Sequence, residues 1–107
     1  YEIAGQSQVG IRLDSQAVPV DSSVRGVCGM LGLEPLYLAC EGRLVVFAPK
    51  NKAQAIIDTL HKGPYSKQAA IIGEVTAEQP GRVIVRTEIG AETLLPPPGG
   101  ELLPRIC

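Results

Sequence analysis

Three consecutive prolines, Pro96 to Pro98, set a firm boundary on what this chain can fold into. Each lacks a backbone N–H and has φ fixed by its ring, so neither a helix interior nor a central strand can run through them. Gly99 and Gly100 restore backbone freedom, and the chain then ends on Glu101-Leu102-Leu103-Pro104-Arg105-Ile106-Cys107. Residues 96–107 therefore read as an extended, flexible, Pro/Gly-rich tail that carries a terminal thiol. The folded body must be built from what precedes them.

The 107 residues suffice for one modest core and are too few for two. Ten Lys and Arg nearly balance eleven Asp and Glu, and the basic residues are scattered, which argues against nucleic acid and anionic membranes as partners. No apolar run approaches the roughly 20 residues of a membrane span, and no signal-type segment opens the chain, so a soluble protein is expected. Cys28, Cys40 and Cys107 are odd in number and lack Cys-x-x-Cys spacing, and the single His61 has no nearby ligand partner. That pattern fits neither a disulfide framework nor a zinc site, and a reducing cytoplasm suits it best.

Glu2-Ile3-Ala4 before Gly5 reads as the last turn of a helix, so residues 1–8 are expected to be the end of an upstream helix or linker. Val9 to Asp14 alternates as a half-buried strand does, and Pro19 marks a loop. Asp21 or Ser22 can cap the next element, whose apolar residues Val24, Val27, Cys28 and Leu31 follow one helical face up to Gly32. Leu36 to Cys40 and Arg43 to Ala48 read as a hairpin joined by Glu41-Gly42. Asn51 is a plausible cap for a second helix with its stripe at Ala53, Ile56, Ile57 and Leu60, stopped by Gly63-Pro64. Ala69 to Thr76 and Arg82 to Thr87 read as strands about the turn Glu78 to Gly81, with a short last strand at Thr93 to Leu95. The body, residues 9–95, is thus expected to be α+β, a ferredoxin-like β-α-β-β-α-β-β sheet with two helices packed on one face.

Most candidate site residues have plain readings. Cys28 lies on an apolar helical stripe and reads as an inert buried thiol; Cys40, at a strand end, reads as structural too. His61 suits the last turn of a helix. Gly26, Gly29 and Gly32 fall within or at the end of a helix and offer no phosphate cradle. Glu41 is either an exposed turn residue or a rim carboxylate able to act as a base, and spacing alone favours the first. Arg43 reads as a rim charge.

Cys107 differs, since packing requires no cysteine at a chain end and an exposed thiol is an oxidation liability. In an extended tail Arg105 lies on the same side as Cys107, where its charge offsets that of the terminal carboxylate. From Gly99 the tail spans at most roughly 30 Å, enough to carry the thiol to a site on another domain or protein.

Pro104-Arg105-Ile106-Cys107, with Val24-Arg25-Gly26-Val27-Cys28, Gly32-Leu33-Glu34-Pro35-Leu36, Glu41-Gly42-Arg43-Leu44-Val45 and Ile72-Gly73-Glu74-Val75, resembles the carboxy-terminal domain of the HypE family of hydrogenase maturation factors. The resemblance covers nearly the whole chain. It implies a PurM C-terminal-domain-like fold within a larger, dimeric protein, whose amino-terminal domain, not contained in this sequence, binds ATP and Mg²⁺. It also implies that the terminal cysteine, here Cys107, is carbamoylated by HypF from carbamoyl phosphate. ATP-dependent dehydration to a thiocyanate follows, and the cyano group is destined for iron on the HypC–HypD complex. Pro104, Arg105 and Ile106 would serve in recognition of the tail, and Glu41, in the family's Glu-Gly-Arg/Lys turn, would help remove the amide proton. The parent protein is then a carbamoyl dehydratase, a lyase, and this chain by itself, with no cofactor of its own, is not expected to dehydrate anything. Two other readings of the residues stay open: a non-catalytic interaction domain whose tail docks on a partner, and a redox-sensing thiol that would need Cys40 as its resolving partner.

Overall fold

The computed structural model describes residues 1–99. A short helix, α1 (Glu2–Ser7), turns through the left-handed Gln8 (φ 53°) into strand β1 (Gly10–Asp14). Helix α2 (Ser22–Leu31), a single 3-10 turn at Pro35–Tyr37 and helix α3 (Lys50–His61) follow, before strands β2 (Gly73–Thr76), β3 (Val83–Arg86) and β4 (Glu92–Leu94). The strands form one mixed sheet in the order β2-β1-β3-β4. β1 pairs antiparallel with β2, from Gly10 opposite Thr76 to Leu13 opposite Gly73, and parallel with β3, from Ile11 opposite Val83 to Asp14 opposite Arg86. β4 runs antiparallel to β3. The α+β class is as the sequence pattern predicts.

Local chemistry explains the helix ends. Asp21 caps α2 by accepting from the Ser23 amide at 3.0 Å and the Ser23 hydroxyl at 2.6 Å, and these bonds, the hydroxyl first, hold its carboxyl below the usual aspartate range. Gly32 closes the helix at φ 66°, a left-handed position where a Cβ would be strained. On α3 the expected stripe, Ala53, Ile56, Ile57 and Leu60, is half-buried while its neighbours are exposed. The cap of α3 differs from expectation: Asn51 lies inside the first turn, and Pro49 occupies the cap position without a side-chain bond.

The buried apolar residues are few. Val83 and Val85, two apart and so on one face of β3, are 4% and 8% exposed; Cys28 on α2 is 3% exposed and Ala4 on α1 fully covered. Cys28 and Val85 line an open cavity of about 360 Å³ between α2 and the sheet, together with Leu33 and Leu95. Cys28 is thus the buried thiol its periodicity implies, whereas Val24, Val27 and Leu31, the rest of the expected stripe, are exposed.

The expected hairpin over Leu36–Cys40 and Arg43–Ala48 is corrected by the structure. Pro35 starts a 3-10 turn, and the donors a ladder would need are spent locally: the Leu36 amide donates to Glu34 Oε1 at 3.3 Å, Tyr37 to the Glu34 carbonyl at 3.0 Å and Leu38 to the Pro35 carbonyl at 3.2 Å. Gly42 (φ 73°) supplies the turn, but Arg43–Ala48 joins no ladder, and Leu44, Val45, Val46 and Phe47 are exposed. The element order is therefore α-β-α-α-β-β-β, not β-α-β-β-α-β-β. The strand expected over Ala69 to Thr76 is likewise shorter, starting at Gly73, although the Ile72 carbonyl already accepts from the Asp14 amide at 2.9 Å.

Gly73 marks a close approach within the sheet, because a Cβ there would collide with the Arg12 carbonyl and stand 3.1 Å from Leu13 Cα, both backbone atoms of the central strand. Gly73→Ala is expected to destabilise the folded chain by about 2–3 kcal/mol, since neither neighbour can rotate away. A lowered urea midpoint with unchanged slope checks this; an unaltered midpoint contradicts it.

Candidate functional site

The segment Glu34 to Arg43 lies across the place where the chain leaves the sheet. Leu95 makes the last ladder bond, its amide donating to the Val83 carbonyl at 2.9 Å. One residue later the Pro96 carbonyl accepts a 2.6 Å hydrogen bond from the Tyr37 hydroxyl, 59 positions away in sequence. Pro97, Pro98 and Gly99 follow, and the described residues end there. Cys107, Pro104, Arg105 and Ile106, the terminal nucleophile and the tail positions marked for recognition, lie outside the described residues.

Tyr37 is fixed from its own side as well. Glu34 caps its turn, and the phenol is half-buried. Partial desolvation, and then the neighbouring Tyr1 and Glu34, push its pKa above the usual tyrosine value, so it remains a protonated donor through the neutral range. Sequence reasoning passed over this residue. Its signal was the scarcity of aromatics, three Tyr and one Phe in the chain, which makes a tyrosine beside a Pro-containing turn worth attention.

Three residues beyond Tyr37 comes the Cys40-Glu41-Gly42 turn. Glu41 is fully on the surface, as a turn residue would be, with its carboxylate free to meet a group delivered from outside. Cys40, read as structural at a strand end, is exposed and lies in no strand, its Sγ 3.9 Å from the Glu41 carbonyl oxygen. Arg43 does more than decorate the rim: its Nη1 donates to the Pro19 carbonyl at 3.1 Å and ties the far side of the turn to the loop between β1 and α2. His61 is remote from this region, its Nε2 2.7 Å from the Ala69 carbonyl, where it fastens the end of α3.

The structure therefore joins Tyr37 to the root of the tail, and Glu41 lies exposed four residues further along the same segment. Among the described residues no three His, Cys, Asp or Glu side chains gather as a metal site would require. Gly26 and Gly29 lie inside α2 and Gly32 caps its end, so these glycines form no loop feeding a helix N-terminus. No helix among the described residues is long and apolar enough to cross a membrane.

Residues 1–86 match the family of AIR synthase related protein, C-terminal domain. The chain belongs to this family. Among individual proteins it is 41% identical over 106 residues to the carbamoyl dehydratase HypE of Azotobacter vinelandii, and 43% identical over 107 residues to that of Escherichia coli K12. These alignments take in 99% and 100% of this chain but 31% of each relative, so the chain spans about a third of the length of the proteins it matches. A crystal structure of the hydrogenase maturation protein HypE superposes with a TM-score of 0.89 at 46% identity, over 99% of this chain and 35% of that one. A HypE in complex with ATP gives 0.84 at 42%, over 92% of this chain and 31% of that one. The crystal structure of a HypE–HypF complex gives 0.85 at 34%, over 92% and 32%. The resemblance read from the motifs, to the C-terminal part of HypE with its PurM C-terminal-like fold, is borne out.

The raised Tyr37 pKa has a checkable consequence. Glu34→Gln removes the last and smallest of its causes and is expected to move the phenol part of the way back towards the ordinary tyrosine value, leaving the desolvation part in place. Any stability tied to the neutral phenol is fully present below the unfolded-state pKa and is lost as pH rises through the folded one. An NMR pH titration of the Tyr37 ring reads both; a phenol that ionises at or below the ordinary value contradicts the assignment.

Proposed function

We propose that this chain is the carboxy-terminal domain of a HypE-type carbamoyl dehydratase, with Cys107 as the covalent carrier of the one-carbon group. The observation that carries the reading is the alignment of essentially the whole chain, at 41–43% identity, with carbamoyl dehydratases HypE. The terminal Pro104-Arg105-Ile106-Cys107 supplies the nucleophile and the tail segment for its recognition.

The chemistry follows from the thiol. The Cys107 thiolate attacks the carbonyl carbon of the carbamoyl group activated by HypF, an S–C bond forms and the activating phosphate ester departs. In the second step the amide oxygen of the S-carboxamide takes the terminal phosphoryl group of ATP, which converts a poor leaving group into phosphate. Loss of the two N–H protons and expulsion of phosphate leave the thiocyanate, with ADP, phosphate and one net proton as co-products. Glu41, an exposed carboxylate on the segment that borders the tail root, is assigned as the base for one of those protons. The cyano group is then destined for iron on the HypC–HypD complex.

ATP and Mg²⁺ are assigned to an amino-terminal domain of the same protein, and the exposed run Leu44 to Phe47 to the surface that meets the rest of that protein. Residues 1–8, which include α1, are assigned as the end of an upstream helix or linker, residues 9–95 as the folded body and residues 96–107 as the carrier tail. Dimerisation and a cytoplasmic setting belong to the same reading. The HypE–HypF and HypE–ATP crystal structures support HypF as a partner and ATP as a substrate of the whole protein.

With the ATP-binding domain, HypF, carbamoyl phosphate and ATP, mass spectrometry is expected to find the carbamoyl and cyano groups on the terminal peptide. Cys107→Ala is expected to abolish both, and unchanged turnover in that variant would overturn the carrier role. Glu41→Gln is expected to leave carbamoylation intact and to slow thiocyanate formation by roughly 10²- to 10⁴-fold, the range of a lost general base. Equal rates for Glu41→Gln and the parent protein in single-turnover dehydration would remove Glu41 from the mechanism.

A further inference from the structure

The hydrogen bond from the Tyr37 hydroxyl to the Pro96 carbonyl falls where it decides the direction of the tail. Upstream of it, Leu95 is held by its amide on the Val83 carbonyl. Between these two anchors the freedom lies in the torsions of Leu95, because the ring fixes the φ of Pro96 and the proline that follows confines its ψ to extended values. Holding the Pro96 carbonyl oxygen restricts those torsions and, through the planar peptide, sets the orientation of the Pro96–Pro97 bond. Past that bond, the φ angles of Pro97 and Pro98 are set by their rings, and the ψ of Pro97 is confined to extended values because a proline follows. The first free torsion is the ψ of Pro98, which a glycine and not a proline follows. Three prolines of polyproline geometry form a lever of about 9 Å whose bearing is set at its root.

Tyr37 and Glu41 are four residues apart on a segment held at both ends, by the Glu34 cap before Tyr37 and by the bond of Arg43 to the Pro19 carbonyl after Glu41. The lever and the assigned base therefore share one frame of reference. We propose that Tyr37 is a positioning residue for the terminal thiol: its hydroxyl aims the Pro96–Pro98 lever so that Cys107 searches a restricted volume when its carbamoyl group is dehydrated within the same molecule. This rests on the carrier role proposed above for Cys107. A restricted search raises the effective concentration of the thiol-bound group at a site in the same protein. The HypF step is an encounter between two proteins and does not draw on that gain.

The experiment separates the two steps in the full protein, with its ATP-binding domain and HypF. Carbamoylated protein is prepared from the parent, Tyr37→Phe, Pro97→Gly and the double variant, and ATP is added for a single turnover. Tyr37→Phe is expected to slow thiocyanate formation roughly three- to tenfold, the range for one lost hydrogen bond, with the HypF-dependent step unchanged within twofold. Pro97→Gly, which releases the same lever further along, is expected to cause a similar loss, and the double variant no greater loss than the slower single one, because either change alone frees the bearing. A parent-like dehydration rate in Tyr37→Phe overturns the proposal. So do multiplied losses in the double variant, and so does an equal fall in both steps together with a lowered melting temperature, which marks a merely structural role. Cys107→Ala serves as the control: thiocyanate formation without Cys107 refutes the carrier reading itself, whereas a required Cys107 beside a neutral Tyr37→Phe refutes only the aiming role.

Discussion

Strand β1 has both of its edges occupied, by β2 antiparallel and by β3 parallel, and the rest of the molecule hangs from that double pairing. It forces backbone from two distant parts of the chain against five residues. The glycine at position 73 is what permits the close approach on one side, and the small buried set of Val83 and Val85 holds the other. β3 in turn carries β4, and β4 delivers the chain to Leu95. The position from which the tail departs is thus inherited from β1 through two successive ladders.

Much of this was legible in the residues. The alternation of Val9 to Asp14 marked β1, and Ala53, Ile56, Ile57 and Leu60 marked the half-buried side of α3, because both patterns answer to the fixed geometry of their own element. Arg43 to Ala48 misled because apolar, β-branched content reports only that a segment suits a pleated, half-covered surface. A strand also requires a neighbour, and the local turn at Pro35–Tyr37 had already consumed the donors of the intended one. The bond from Tyr37 to Pro96 was invisible for a related reason: it joins residues 59 apart and obeys no periodicity.

The functional reading was legible unequally as well. A cysteine at the end of a Pro/Gly-rich tail can be marked as a reactive thiol from composition, since nothing in packing demands it there, whereas its proposed carrier role comes from the family resemblance. Glu41 carries no such mark, being one exposed carboxylate among several, and its claim comes from the Glu-Gly-Arg context and from the segment it shares with Tyr37. The two contributions are of different kinds, chemistry at the tip of the tail and geometry at its root.

The uncharged run Leu44-Val45-Val46-Phe47-Ala48 has the composition of an aggregation-prone window, and in the described structure it lies open to solvent. Arg43 stands at one end of it, with Pro49 and Lys50 at the other. A cation on each side and a proline that interrupts ladder bonding are the residues that keep such a run from templating its own kind. With a guard at each end, the strip can stay open to solvent without pairing with a second copy of itself.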